Sequence, residues 1–123
     1  MMNGQKSQDI LVRTKAFALR IVRLYVALPK TTEAQVLGKQ MLRSGTSVGA
    51  HVREGKRARS DAEMISKIEG GLQELEETVY WLELLIEAEI VAAERLKDLL
   101  YEADALTAIL VTSAKTLKIR RSK

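Results

Sequence analysis

Imidazole and carboxylate side chains are the groups in this chain best suited to chemistry. The only histidine stands in His51-Val52-Arg53-Glu54, and Glu69, Glu76 and Glu83 recur every seven residues. A carboxylate-bridged di-iron centre in a helical bundle draws on inward glutamates and two Glu-x-x-His motifs. No Glu-x-x-His occurs, and the tetrapeptide at His51 runs in the reverse order. With no cysteine, Cys-ligated zinc, disulfides and thiol catalysis are excluded. Gly45-Thr46-Ser47-Val48-Gly49 has the composition of a loop, but no Gly-Lys-Ser/Thr follows it, so a phosphate-cradling P-loop is not supported. Nor is there a nucleophile elbow or a recognisable acid–base pair. No catalytic residue, metal ligand or cofactor is expected, and the chain is expected to be non-enzymatic. His51 is expected to be a polar residue near a basic turn.

The cations that remain are more informative. Arg53, Lys56, Arg57 and Arg59 crowd one turn, with Arg43 shortly before them. Five such charges at one corner would contact several phosphates with salt-sensitive affinity. Arg120 and Arg121, with Lys123, would add a flexible basic arm at the C-terminus. The chain holds one Trp, three Tyr and one Phe, none interleaved with these cations. Stacking on single-stranded bases is therefore not expected, and RNA or DNA would be held by backbone and shape. The plainer alternative is a solvated polar turn, partly neutralised by Glu54 and Asp61.

The formal net charge of +4 conceals a partition. Residues 1–60 carry 12 Lys+Arg against 3 Asp+Glu, residues 61–104 carry 3 against 13, and residues 105–123 carry 5 against none. Opposite signs in successive stretches serve either a polyanionic partner or the pairing of helices and subunits. The glutamate column at Glu69, Glu76 and Glu83 reads as the flank of a bundle seam, and Arg13 and Arg20, at the same spacing, are its expected partners.

Helices must position these groups. The chain is 46% hydrophobic and 29% charged, has one Pro, and is rich in Ala, Leu, Glu, Lys and Arg. Its 123 residues suit one domain with one core. Apolar steps predict a first helix over about 9–28, with Ile10, Phe17, Ile21, Leu24 and Leu28 on one face, Thr14 filling the gap, and Pro29 ending it. A second is predicted over 32–54, opened by a Thr32/Gln35 capping box and stopped by a left-handed Gly55. Its interior glycines, Gly38, Gly45 and Gly49, imply either close approach of another helix or a break near Gly45. The third, over 60–88, starts at the Ser60/Glu63 capping box and carries Ile65, Ile68, Leu72, Leu75, Val79, Leu82 and Ile86. The fourth, over 91–118, carries Ala92, Leu96, Leu99, Ala103, Leu106, Leu110, Ser113 and Leu117, with a frayed basic tail. Short breaks between long helices predict an all-α, up-down-up-down antiparallel four-helix bundle spanning residues 1–123 as a single domain.

Apolar residues also lie off these seams, among them Val12, Val22, Trp81 and Leu85. Trp81 and Leu85 are the expected anchors of an oligomer interface. The polar N-terminus and the lack of a long apolar run predict a cytoplasmic protein without a membrane partner.

These residues resemble a bacterial four-helix-bundle family first met as reading frames within intervening sequences of 23S ribosomal RNA genes. The likeness rests on Arg43-Ser44, the small run Gly45–Val48, then Ala50-His51-Val52-Arg53-Glu54-Gly55, the basic turn Lys56–Arg59, and Gly70-Gly71-Leu72-Gln73-Glu74-Leu75-Glu76-Glu77-Thr78. Leu28-Pro29-Lys30 fits the family's first turn. Two departures stand out: His51 replaces the family's usual Asn, and Val48-Gly49 replaces its usual Ile-Pro. The resemblance implies a non-enzymatic homopentamer with bundles around a central channel. It also implies association with nucleic acid, or with a partner protein, through a basic surface.

Overall fold

The computed structural model describes residues 4–122, with side chains from Asp9 onward. Four helices follow one another: α1 Gly4–Ala27, α2 Thr32–Lys56, α3 Asp61–Glu87 and α4 Ala93–Ser122. They form a square in which each packs on its chain neighbours and α4 closes back on α1, while among the described residues the backbones of the diagonal pairs do not approach closely. The fold class is all-α, a four-helix bundle, as its sequence pattern predicts. One end of the bundle gathers the C-termini of α2 and α4 with the N-termini of α1 and α3.

Local chemistry accounts for the boundaries. α1 ends at Ala27, ahead of Pro29 in the first turn, and the Leu28 N–H reaches the Tyr25 carbonyl at 3.1 Å. The cap of α2 is Thr31, one residue earlier than expected, with its hydroxyl accepting from the Ala34 N–H. Gln35 does not complete a capping box. It donates to the Pro29 carbonyl at 2.8 Å and accepts from the Tyr25 hydroxyl at 2.9 Å, tying the turn to α1. Ser60 caps α3 as expected, accepting from the Glu63 N–H at 3.1 Å. At the far end of α3, Glu89 adopts φ 60 while the Ile90 N–H reaches back to the Leu85 carbonyl at 3.0 Å and the Glu89 N–H to that of Ile86 at 2.9 Å. That pattern is a Schellman ending with glutamate in the left-handed position glycine usually takes.

α2 runs unbroken through Gly45 and Gly49. A Cβ on Gly45 would lie 2.8 Å from Ile21 Cγ1, and one on Gly38 2.5 Å from Leu28 Cδ1, so α1 side chains occupy the space. Helix–helix approach, not a kink, explains these residues. Gly55 corrects the sequence reading: it lies inside α2, buried, and no glycine among the described residues has a positive φ. A Cβ there would meet Lys67 Cβ at 3.4 Å, an ordinary contact, so neither φ nor crowding by α3 demands glycine at this position.

The core follows the α1 seam as read, Ile10, Thr14, Phe17, Ile21, Leu24 and Leu28 all being buried. On α3 the innermost row is Ile65, Ile68, Gly71, Leu75, Thr78, Leu82 and Leu85. The expected Leu72, Val79 and Ile86 flank it, partly buried. On α4, Ala114 takes the place assigned to Ser113. The small residues face α2, where the backbones come closest. There the buried hydroxyls of Ser44 and Thr78 stand 2.8 Å apart. Thr78, also 2.8 Å from the Glu74 carbonyl, has one proton to give. Donation to that carbonyl leaves it to accept from Ser44, and both groups are satisfied.

Candidate nucleic-acid interface

The four residues between α2 and α3 build the basic corner. Arg53 and Lys56 sit in the last turn of α2, where the helix dipole favours cations. The Arg57 N–H closes that helix on the Glu54 carbonyl and the Ala58 N–H on that of Gly55, and Arg59 follows just before the Ser60 cap. Arg53, Arg57 and Arg59 are exposed.

The two carboxylates expected to neutralise this turn are directed elsewhere. Glu54 accepts from Lys67 Nζ at 3.0 Å, and that bond holds its carboxyl below the usual range. Asp61 takes a two-pronged contact from Arg120, Nη2 to Oδ1 at 2.6 Å and Nε to Oδ2 at 3.0 Å. The guanidinium lowers the Asp61 pKa, and the carboxylate raises that of Arg120. Among the described residues, no carboxylate lies within ion-pair distance of Arg53, Arg57 or Arg59.

Several sequence expectations change here. Arg120 and Arg121 are not a flexible arm, because α4 stays helical through Ser122 and Arg120 is clamped to the start of α3. Both nonetheless lie at the corner end. Lys123 lies outside the described residues. Lys56 is half-buried and lines a cavity, and burial lowers the pKa of its amine. Arg43 does not belong to the corner. Thirteen residues separate it from Lys56, about 20 Å along the helix. Its guanidinium pairs with Glu74 at 3.3 Å and with Glu77. Trp81 Nε1 donates to the same Glu77 at 2.9 Å, so this cluster ties α2 to α3.

The expected partners of the glutamate column are also corrected. Arg13 binds Glu102 on α4, at 2.7 and 3.1 Å, since α4 is its neighbour in the square while α3 stands diagonally across. Glu69 instead receives Lys118 at 2.6 Å. His51 is half-buried on the α2–α3 seam, its Nδ1 3.0 Å from the Ser47 carbonyl. Its ring lies where a Cβ on Gly70 would be, 2.6 Å from Cδ2. Among the described residues, no cluster of three or more His, Cys, Asp or Glu is placed to hold a metal.

The oligomer anchors fare differently. Leu85 is 0% exposed, inside the subunit's own core, and cannot meet another subunit. Trp81 is half-buried, its ring edge against Tyr80 at 5.1 Å, and Tyr80 is exposed. The larger unpartnered apolar surface is on α1, where Val12, Leu19, Val22 and Val26 are exposed over about 21 Å of helix. Val12 and Val22 drew notice from sequence. The seven-residue step from Val12 through Leu19 to Val26 was a legible signal for the rest. Among the described residues, no helix is long and apolar enough to cross a membrane.

Comparison with known proteins agrees with this architecture. The family model described as 23S rRNA-intervening sequence protein matches residues 6–112. A crystal structure from Bacteroides thetaiotaomicron, described as a protein of unknown function from the S23 ribosomal protein family, is similar at 38% identity and a TM-score of 0.84. The likeness covers 89% of this chain and 98% of that one. No curated protein matches the chain. With the family's helical architecture present and its model matched across most of the length, the chain belongs to the 23S rRNA-intervening sequence protein family.

Proposed function

We propose that this protein is a non-enzymatic, oligomeric scaffold of the cytoplasm that binds structured RNA, or another nucleic acid, by its phosphates. The supporting observation is the state of the corner. Arg53, Arg57 and Arg59 are exposed, and the nearby carboxylates of Glu54 and Asp61 are taken by Lys67 and Arg120. Guanidinium groups suit phosphate oxygens through their planar fork of donors. Arg121 adds a further exposed charge at the same end. The family's name, which refers to ribosomal RNA, is compatible with such a partner.

Titration of a labelled, structured ribosomal RNA fragment, read by anisotropy across a salt series, tests the reading. Steep loss of affinity with salt is expected, with the slope reduced by about one for each phosphate-contacting arginine removed. Arg57→Lys should retain more binding than Arg57→Ala. Failure to bind at low salt would sink the proposal.

The exposed α1 stripe favours a second reading, a protein-interaction scaffold. In that case neutralising Arg53, Arg57 and Arg59 would lower the mass of the assembly. Under the nucleic-acid reading the same change spares assembly and removes RNA binding.

A further inference from the structure

Beside the corner, α1 and α2 leave a groove of about 360 Å³ along their shared seam. Ala18, Gly49 and Ala50 line it with little bulk, and Lys15 and Arg53 contribute a cation from each helix. Among the described residues, neither cation has a carboxylate within ion-pair distance. Glu54 also reaches this groove, but its carboxylate is taken by Lys67.

We propose that this groove holds one strand of RNA as it leaves the basic corner, with phosphates at Lys15 and Arg53 and a ribose 2′-hydroxyl donating to Thr46 Oγ1. The inference rests on the nucleic-acid reading and narrows it from nucleic acid in general to RNA.

Three observations point to that chemistry. First, the hydrogen-bonding capacity of Thr46 is one-sided. Its hydroxyl, which lines the groove, donates to the Leu42 carbonyl at 2.8 Å and leans toward that of Arg43 at 3.3 Å. The oxygen can still accept, but it has no proton left for a phosphate. A ribose 2′-hydroxyl is the donor that fits, and DNA lacks it. The Thr14 hydroxyl is committed in the same way, to the Ile10 carbonyl at 2.8 Å, but Thr14 is buried. Second, the register is suitable. A Cβ on Gly49 would lie 3.3 Å from Thr14 Oγ1, so Lys15 comes level with Ala50. That places it about one helical turn from Thr46 on one side and from Arg53 on the other. A row of acceptor, cation and cation matches the sugar and phosphates of a single backbone, and Arg53 joins the row to the corner. Third, the shape is selective. Axes of packed helices stand about 8–10 Å apart, so the seam between them admits one strand and not a duplex. Among the described residues, no aromatic side chain lines the groove, so sugar and phosphate are held while the bases are not stacked.

The test uses the full chain and three labelled probes built on one RNA stem-loop. The first is blunt, the second carries a short oligouridine 3′ overhang, and the third carries the same overhang in 2′-deoxyuridine. The ribose overhang should tighten binding about tenfold over the blunt stem, as one further phosphate contact and one hydrogen bond would give. The deoxyribose overhang should forfeit about fivefold of that gain. Thr46→Val should erase the ribose preference. Lys15→Gln should lower the salt slope of the overhang probe by about 0.7, the increment for one phosphate of a single strand. Ala50→Leu fills the groove from an exposed position without changing charge, and should remove the advantage of the overhang. Melting temperatures establish that each variant is folded. Equal binding of the ribose and deoxyribose overhangs, or a ribose preference that survives Thr46→Val, would overturn the inference. If the blunt stem binds through Arg57 while the overhang adds nothing, the groove inference falls and the corner reading stands. If no probe binds at low salt, both fall.

Discussion

Two glycines of α2 should respond to alanine with opposite signs. On a free helix, Gly→Ala is worth about 1 kcal/mol in favour of Ala. At Gly45 the new Cβ would fall 2.8 and 2.9 Å from the Cγ1 and Cγ2 of Ile21 and 3.2 Å from its Cβ. Ile21 is fully buried and stiff at χ1, so it cannot step aside cheaply. Overpacking of this kind costs about 1–3 kcal/mol, which outweighs the propensity gain or just cancels it. The net expectation is a loss of about 0–2 kcal/mol. At Gly55 the nearest foreign atom would be 3.4 Å away, an ordinary contact, and the backbone is helical. There the propensity gain should survive, at about 0.5–1 kcal/mol so near the helix end. Urea denaturation followed by circular dichroism would measure both, with an unchanged m-value required for the comparison. A double cycle with Ile21→Ala sharpens the test, because removing both γ carbons should relieve the Gly45→Ala clash and produce coupling of about 1–3 kcal/mol. If Gly45→Ala stabilised by the full helix-propensity increment, α1 would not be pressing on α2 there. If Gly55→Ala destabilised by 1 kcal/mol or more, Gly55 would be a left-handed stop after all.

Other outcomes follow from the same geometry. Glu89→Gly should stabilise by about 1 kcal/mol in thermal melts, because glycine removes the left-handed strain at φ 60. Ser60→Ala should cost about 1 kcal/mol by loss of the α3 cap. The Asp61 pKa is lowered by Arg120, so the stability this pair contributes is present above the unfolded aspartate value of about 3.9 and is lost as pH falls through the lower folded value. Arg120→Gln should therefore flatten the acid limb of the melting temperature against pH, and an unchanged limb would refute the pairing. In RNA titrations, Arg57→Gln should reduce the salt slope by about one while Arg43→Gln leaves it alone, because Arg43 is matched by Glu74 and Glu77.

Periodicity made much of the fold legible. The α1 seam was readable because its members are large and apolar, with one threonine between them. The inner row of α3 was misplaced at Gly71, Thr78 and Leu85, since small and polar residues carry no hydrophobic signal although they sit where α2 comes closest. A strict heptad then ran one residue late, to Ile86. Gly55 looked like a stop because composition does not reveal whether a glycine near a helix end has a positive φ, and this one does not. At the corner, the cations themselves were evident in sequence. The fate of the neighbouring carboxylates was not, because Glu54 meets Lys67 and Asp61 meets Arg120 across separate helices, the second pair 59 positions apart. The removal of Arg43 from the cluster is likewise a matter of distance along a helix that runs unbroken through Gly45 and Gly49.

The square of helices is not equally tight on every side. α2 and α3 pack most extensively, and α4 touches α1 least. The α2–α3 hairpin should therefore be the last cooperative unit to open, and the α1–α4 side the first. Native-state hydrogen exchange should rank the amides in that order, with α2 and α3 near the global unfolding free energy and the facing turns of α1 and α4 well below it. Partial detachment of α1 from α4 would bare Phe17 and Leu106, both fully buried, while most of the core stayed folded. On that expectation the bundle parts along its α1–α4 side, and among the described residues the bond between Arg13 and Glu102 is a cross-link that spans it.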